Sequence, residues 1–169
     1  MDLRNKIRDI RFMRALFTTA ESEARDLGDD LPGAEHLLLA ALSLPDDSGR
    51  RALATWAGTV DDVRTAARAA HADALRSVGL ASSNEDPGEP QVGRTPTGPF
   101  QSSGSAQLVF QRALALSKLE RPRALRTAHI VQAVAELEHG TSSRVLARLG
   151  IDRAALQAAA RDAARVPTG

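Results

Sequence analysis

Two short stretches carry the residue types that could do chemistry. Pro32-Gly-Ala-Glu-His36 opens the apolar run His36 to Leu42, and Arg126-Thr-Ala-His129 opens another from His129 to Leu137. A helix start leaves backbone N–H groups unpaired at the positive end of its dipole, a place for phosphate oxygens. A carboxylate there, such as Glu35, can take a guanidinium through a charge-assisted pair. The plainer role is to complement the dipole, worth about 0.3–1 kcal/mol. Pro32 and Gly33 let the chain turn sharply into the helix. His36 and His129 suit a structural task, since an imidazole at a helix start can tie down a neighbouring loop by hydrogen bonds. His71 and His139 lie on helical stretches with no partner at ligand spacing and read as solvent-facing.

Other chemistries lack their residues. The 169 residues contain no cysteine, so thiol catalysis, disulfides and cysteine-held zinc are out. No G-x-x-x-x-G-K-[ST] phosphate loop, Gly-x-Ser-x-Gly elbow or His-Glu-x-x-His helix occurs, and no carboxylate pair has a spacing that places it in a cleft. The chain reads as a non-enzyme, with no cofactor and no metal. A net charge of +1 gives no general pull towards nucleic acid or anionic membrane. The N-terminal stretch breaks its apolar positions with charges every few residues, unlike a signal peptide, and a cytoplasmic protein is expected.

The elements that must position these residues are helices. Aromatics make up 3% of the chain and Tyr is absent, so the core must come from Leu, Ala, Val and Ile. Ile7, Ile10, Met13, Leu16, Phe17, Ala20, Ala24 and Leu27 recur at spacings of three and four, predicting an amphipathic helix that Gly28 stops. A second helix is expected over 35–44. A third, capped by Asp46, Asp47 or Ser48, turns Leu53 and Trp56 inward. Thr59-Val-Asp-Asp opens a fourth, to about Val78. Residues 81–104 hold four prolines and four glycines, the composition of a linker. Helices then resume over 105–119, 127–138, 142–149 and 152–165.

The same order appears twice. At a constant offset of ninety-three residues Phe17 falls on Phe110, Ala20 on Ala113, His36 on His129, Leu37 on Ile130, Leu44 on Leu137, Leu53 on Leu146 and Arg68 on Arg161. An internal duplication follows. The expected fold is all-α, a duplicated four-helix repeat of about eight helices in two halves related by a pseudo-twofold axis. The first repeat covers 1–80 and the second 105–169, in one compact domain. Two equivalent sites are expected, free to diverge independently.

This pattern resembles the Clp N-terminal domain, the duplicated helical module that precedes the ATPase rings of the Clp unfoldases. The likeness runs from about Met13 to Arg165. "AESEARDLGDDLPGAEHLLLAAL" is similar to the family's long first helix, its Leu-Gly stop and its Gly-Thr-Glu-His-Ile-Leu-Leu signature, and "SSRVLARLGID" to the stretch before its last helix. "GPFQSSGSAQLVFQRAL" resembles the family's Pro-Phe-Thr-Pro entry to the second repeat, with about two extra residues.

The resemblance implies a module that recruits substrates and adaptors and, in the ClpC branch, binds phosphorylated arginine near the Glu of each signature. The first signature here, Gly33-Ala34-Glu35-His36, keeps the Glu and loses the Thr. The second, Arg126-Thr127-Ala128-His129, keeps the Thr and loses the Glu. Glu35 is then the candidate guanidinium acceptor and the second site is degenerate. Phe100 is the candidate for the apolar contact of the Pro-Phe element. The family's phenylalanines close to the N-terminus are replaced by a basic run, Arg4, Lys6, Arg8, Arg11 and Arg14.

The expectation is a recognition module without ATPase parts: an adaptor, decoy or regulator of Clp-dependent proteolysis. Its partner would be a protein or peptide, a Clp ATPase or that ATPase's substrates and adaptors. Two alternatives stand beside it. One is an interaction domain with no surviving ligand site; the other is a helical DNA-binding regulator using the basic first helix, which would bind in a salt-dependent way.

Overall fold

The structure, a computed structural model, describes residues 3–56, 59–77, 102–120 and 124–166, with side chains from Ile7 onward. Phe100 and most of the expected linker lie outside them. The described residues form α1 (Leu3–Leu27), α2 (Ala34–Ser43), α3 (Ser48–Leu53), α4 (Val60–Ser77), α5 (Gly104–Leu119), α6 (Thr127–Glu136), α7 (Thr141–Arg148) and α8 (Arg153–Arg165). No strand occurs among them, and no helix is long and apolar enough to cross a membrane.

Local signals account for the boundaries. Gly28 takes φ 83°, and Asp29 N–H reaches back to Ala24 O at 2.9 Å, closing α1 as a left-handed glycine cap does. Asp62 Oδ2 accepts from Thr59 N–H at 2.6 Å while Thr59 Oγ1 accepts from Asp62 N–H at 3.3 Å, a reciprocal cap on α4. Its counterpart in the second half, Asp152, caps α8 by accepting from Ala155 N–H at 2.7 Å. Helix α6 ends at Glu136, two residues short of the expected Glu138, because Leu137 turns to extended backbone.

Helices α2 and α6 are buried almost all round and pack on each other at the centre. Phe17 and Phe110, equivalent residues, meet edge to face with ring centroids 5.1 Å apart, which places them beside the pseudo-twofold axis. The halves interleave. Helix α3 packs against α6 and α8 of the second half, and α7 reciprocates against α2 and α4 of the first. Each half therefore delivers the start of its third helix to the other half's signature. That exchange positions both candidate sites.

Candidate functional site

The two signature histidines make the same bonds. Gly33 N–H donates to His36 Nδ1 at 2.8 Å, and Arg126 N–H donates to His129 Nδ1 at 3.0 Å. Each Nε2 faces a carboxylate, Asp29 at 3.3 Å and Glu120 at 3.4 Å, without the alignment of a full hydrogen bond. Both rings are only about 1% exposed. Burial pushes both imidazoles below their ordinary value, against the pull of Glu35 and Asp29 on His36 and of Glu120 on His129. Both are thus neutral pins that tie a helix start to the chain before it, the structural task expected from the sequence.

Asp29, Glu35 and His36 bring one ligand-type atom each within 4.8 Å of one another. A neutral imidazole that accepts at Nδ1 carries its proton on Nε2, so His36 has no lone pair left for a metal. Among the described residues His129 shows the same ring arrangement without such a cluster, which marks it as a property of the helix start.

Around α2 the remaining geometry is open. The starts of α2, α5 and α7 converge on a polar pocket of about 340 Å³. Gly33, Ala34 and Glu35 form one wall, with Ser103 and Ser105 from α5 beside them. Gly140, Thr141 and Ser142 open α7 across from them, and Asp29, His71, His139 and Arg144 line it with Leu31 and Leu137. Ala34 N–H donates to Ser105 Oγ at 3.2 Å, and Ser103 N–H to Pro32 O at 2.9 Å, so α5 is moored to α2. The Ala34 side chain is buried, and Glu35 is 14% exposed. The pocket offers two carboxylates for a cation, and the first-turn N–H groups and hydroxyls of α7 for an anion.

Around α6 the equivalent space is filled. Asp46 Oδ2 accepts from Thr127 N–H at 2.7 Å, and Ser48 Oγ accepts from Ala128 N–H at 3.0 Å. Thr127 Oγ1 donates to Asp46 O at 2.7 Å and accepts from Gly49 N–H at 2.8 Å. Burial alone would raise the Asp46 carboxyl, yet the hydrogen bonds from Thr127 and Ser48 hold it below its ordinary value. Thr127, Ala128 and His129 are all buried. A carboxylate of the first half sits where an outside anion would have to go.

Sequence reasoning placed Glu35 correctly at a helix start but left out Ser103, Ser105, His71, His139 and Arg144, which only the fold brings to it. His71 is 31% exposed, with Nδ1 3.5 Å from Asp29 Oδ1, and it faces the pocket rather than bulk solvent. His139 is exposed and also lines the pocket. One signal for it was available: the offset of ninety-three lays His139 on Asp46, the residue that fills the other site.

No protein-family model matches the chain, and no curated protein matches it. Among solved structures it is similar to the N-terminal domain of the caseinolytic protease associated chaperone ClpD from Arabidopsis thaliana. That match has a TM-score of 0.55 and 25% identity, covering 87% of this chain and 89% of that one. With its eight described helices, its interleaved halves and its paired helix starts, the chain has the fold of a Clp N-terminal domain.

Proposed function

We propose that the protein is a non-catalytic recognition module that binds a protein or peptide through the first-half pocket, with phosphorylated arginine as the ligand group. The observation that carries this reading is the pocket itself: carboxylates of Glu35 and Asp29 stand opposite the N-terminus of α7. A phosphoguanidinium group presents a planar N–H edge and a phosphate, and the two walls match those two parts. In this reading Gly33 and Ala34 supply the backbone of the site, while His36 pins it from behind. The module serves as an adaptor, decoy or regulator of Clp-dependent proteolysis. Calorimetric titration with an arginine-phosphorylated protein against its unmodified form tests this directly. Saturable heat for the phosphorylated form alone, lost in Glu35→Ala, is expected; equal heats for both forms would overturn the ligand.

A second reading, pairing with another chain, has its own observation. A groove of about 500 Å³ between α3 and α4 is lined mainly by Leu42, Leu53, Ala54, Val60 and Val63, with Arg50 and Thr59 beside them. The equivalent groove in the second half is more polar, with Glu138, Ser143, Arg144, Asp152 and Arg153 beside Ala147 and Ile151. The apolar groove suits an apolar side chain of a partner. Loss of a partner in Val60→Glu with phosphoarginine binding intact would favour pairing as a separate activity.

A further inference from the structure

We infer that Gly33 is the positioning residue of the first-half site, because the missing side chain lets the Glu35 carboxylate fold back across the start of its own helix. A Cβ on Gly33 would stand 2.7 Å from Glu35 Oε1, 2.9 Å from Oε2 and 3.0 Å from Cδ. The two contacts to the carboxylate oxygens are closer than a side-chain carbon tolerates, so the carboxylate would have to move. The backbone does not itself demand glycine: φ −98° and ψ −175° are extended values open to any residue. The place of the carboxylate explains the glycine.

The second half supplies the control. Arg126 occupies the equivalent position with the same extended backbone, φ −131° and ψ 161°, and the same N–H bond to a histidine. It carries a side chain, and two residues on stands Ala128 instead of a glutamate. The molecule thus contains both compatible pairings, Gly with Glu and Arg with Ala. The excluded pairing is a Cβ at the first position with a folded-back carboxylate at the third.

The carboxylate in question lies at the pocket wall, with Oε1 3.7 Å from His36 Nδ1, the atom that receives the Gly33 N–H. Adding a methyl group at Gly33 moves the far end of a flexible side chain, so the fold survives while the acceptor leaves its place. Gly33 acts through Glu35, and its binding arm rests on the ligand reading above.

Two readouts on the whole chain test it. In the ligand-free protein, the side-chain carboxyl 13C resonance of Glu35 is expected to move in Gly33→Ala, with the thermal transition retained. An unmoved resonance overturns the inference. For binding, affinity for free phosphoarginine is measured in Gly33→Ala, Glu35→Ala and the double variant. Gly33→Ala is expected to weaken binding about tenfold or more, the range of a lost charged hydrogen bond. The double variant should be no weaker than Glu35→Ala, and additive losses would overturn the coupling. If the unaltered chain takes no phosphoarginine, the ligand reading fails, and the carboxyl resonance still decides the role of Gly33.

Discussion

The starts of α2 and α6 share one construction and differ in what occupies them. Each has a buried histidine accepting its N-cap N–H, at 2.8 Å and 3.0 Å. Each receives the start of the other half's third helix. At α6 the arriving segment is Asp46-Asp-Ser-Gly49, whose carboxylate and hydroxyl take the free N–H groups of Thr127 and Ala128. At α2 the arriving segment is His139-Gly-Thr-Ser142, which brings no anion, and a pocket remains. One internal carboxylate and one hydroxyl thus fill the start of α6, while the scaffold it shares with α2 stays the same. Scaffold and site diverge separately.

If so, substitutions in the shared scaffold should act alike in both halves, and those at the helix starts should not. The largest effects belong to the scaffold. Leu37→Ala and Ile130→Ala, equivalent positions with no exposure, should each cost about 2–5 kcal/mol in denaturant unfolding. A several-fold disparity between them would break the equivalence of the halves. Next comes the filled start: Asp46→Ala strips the acceptor from Thr127 N–H and should cost about 1.5–3 kcal/mol. Its open counterpart behaves differently. Glu35→Ala should change stability by no more than about 1 kcal/mol, because its contribution is that of a carboxylate near a helix dipole. Amide exchange gives the same contrast, with Thr127 and Ala128 protected and Thr141, partly exposed at the pocket, fast in the absence of ligand.

The pH dependence separates the shared pins from the filled site. His36 and His129 have folded values below 6.5, so the unfolded chain takes their protons first as pH falls. Their stabilisation is complete above pH 6.5 and is lost on acidification below it. Asp46 has a folded value below 3.8, so its contribution persists above that pH and is lost on further acidification. Urea unfolding free energies measured from pH 8 to 3 should decline in those two stages. The second stage should vanish in Asp46→Ala, while the first remains.

Much of the fold was legible in the sequence because its signals are local. The Gly28 stop, the Thr59–Asp62 cap and the Asp152 cap act within a few residues, and helix limits read from them agree with the structure within about two positions. The duplication was legible because it recurs at a fixed offset. What closes α6 was not, since Asp46 and Ser48 lie some eighty residues from Thr127 and Ala128 in the chain. The exchange of α3 and α7 between halves brings them together, and periodicity carries no record of it. The same exchange hid Arg144 and His139, which approach Glu35 only through α7 and the turn before it.

The most direct test of the account is a 15N NMR titration of the whole chain with phosphoarginine, reading both helix starts in one experiment. The asymmetry predicts saturable shifts at Gly33, Ala34, Glu35, Ser105 and Thr141, with Arg126, Thr127 and Ala128 unmoved. Saturable shifts at Thr127 and Ala128 would contradict it, because Asp46 would then not be holding that site.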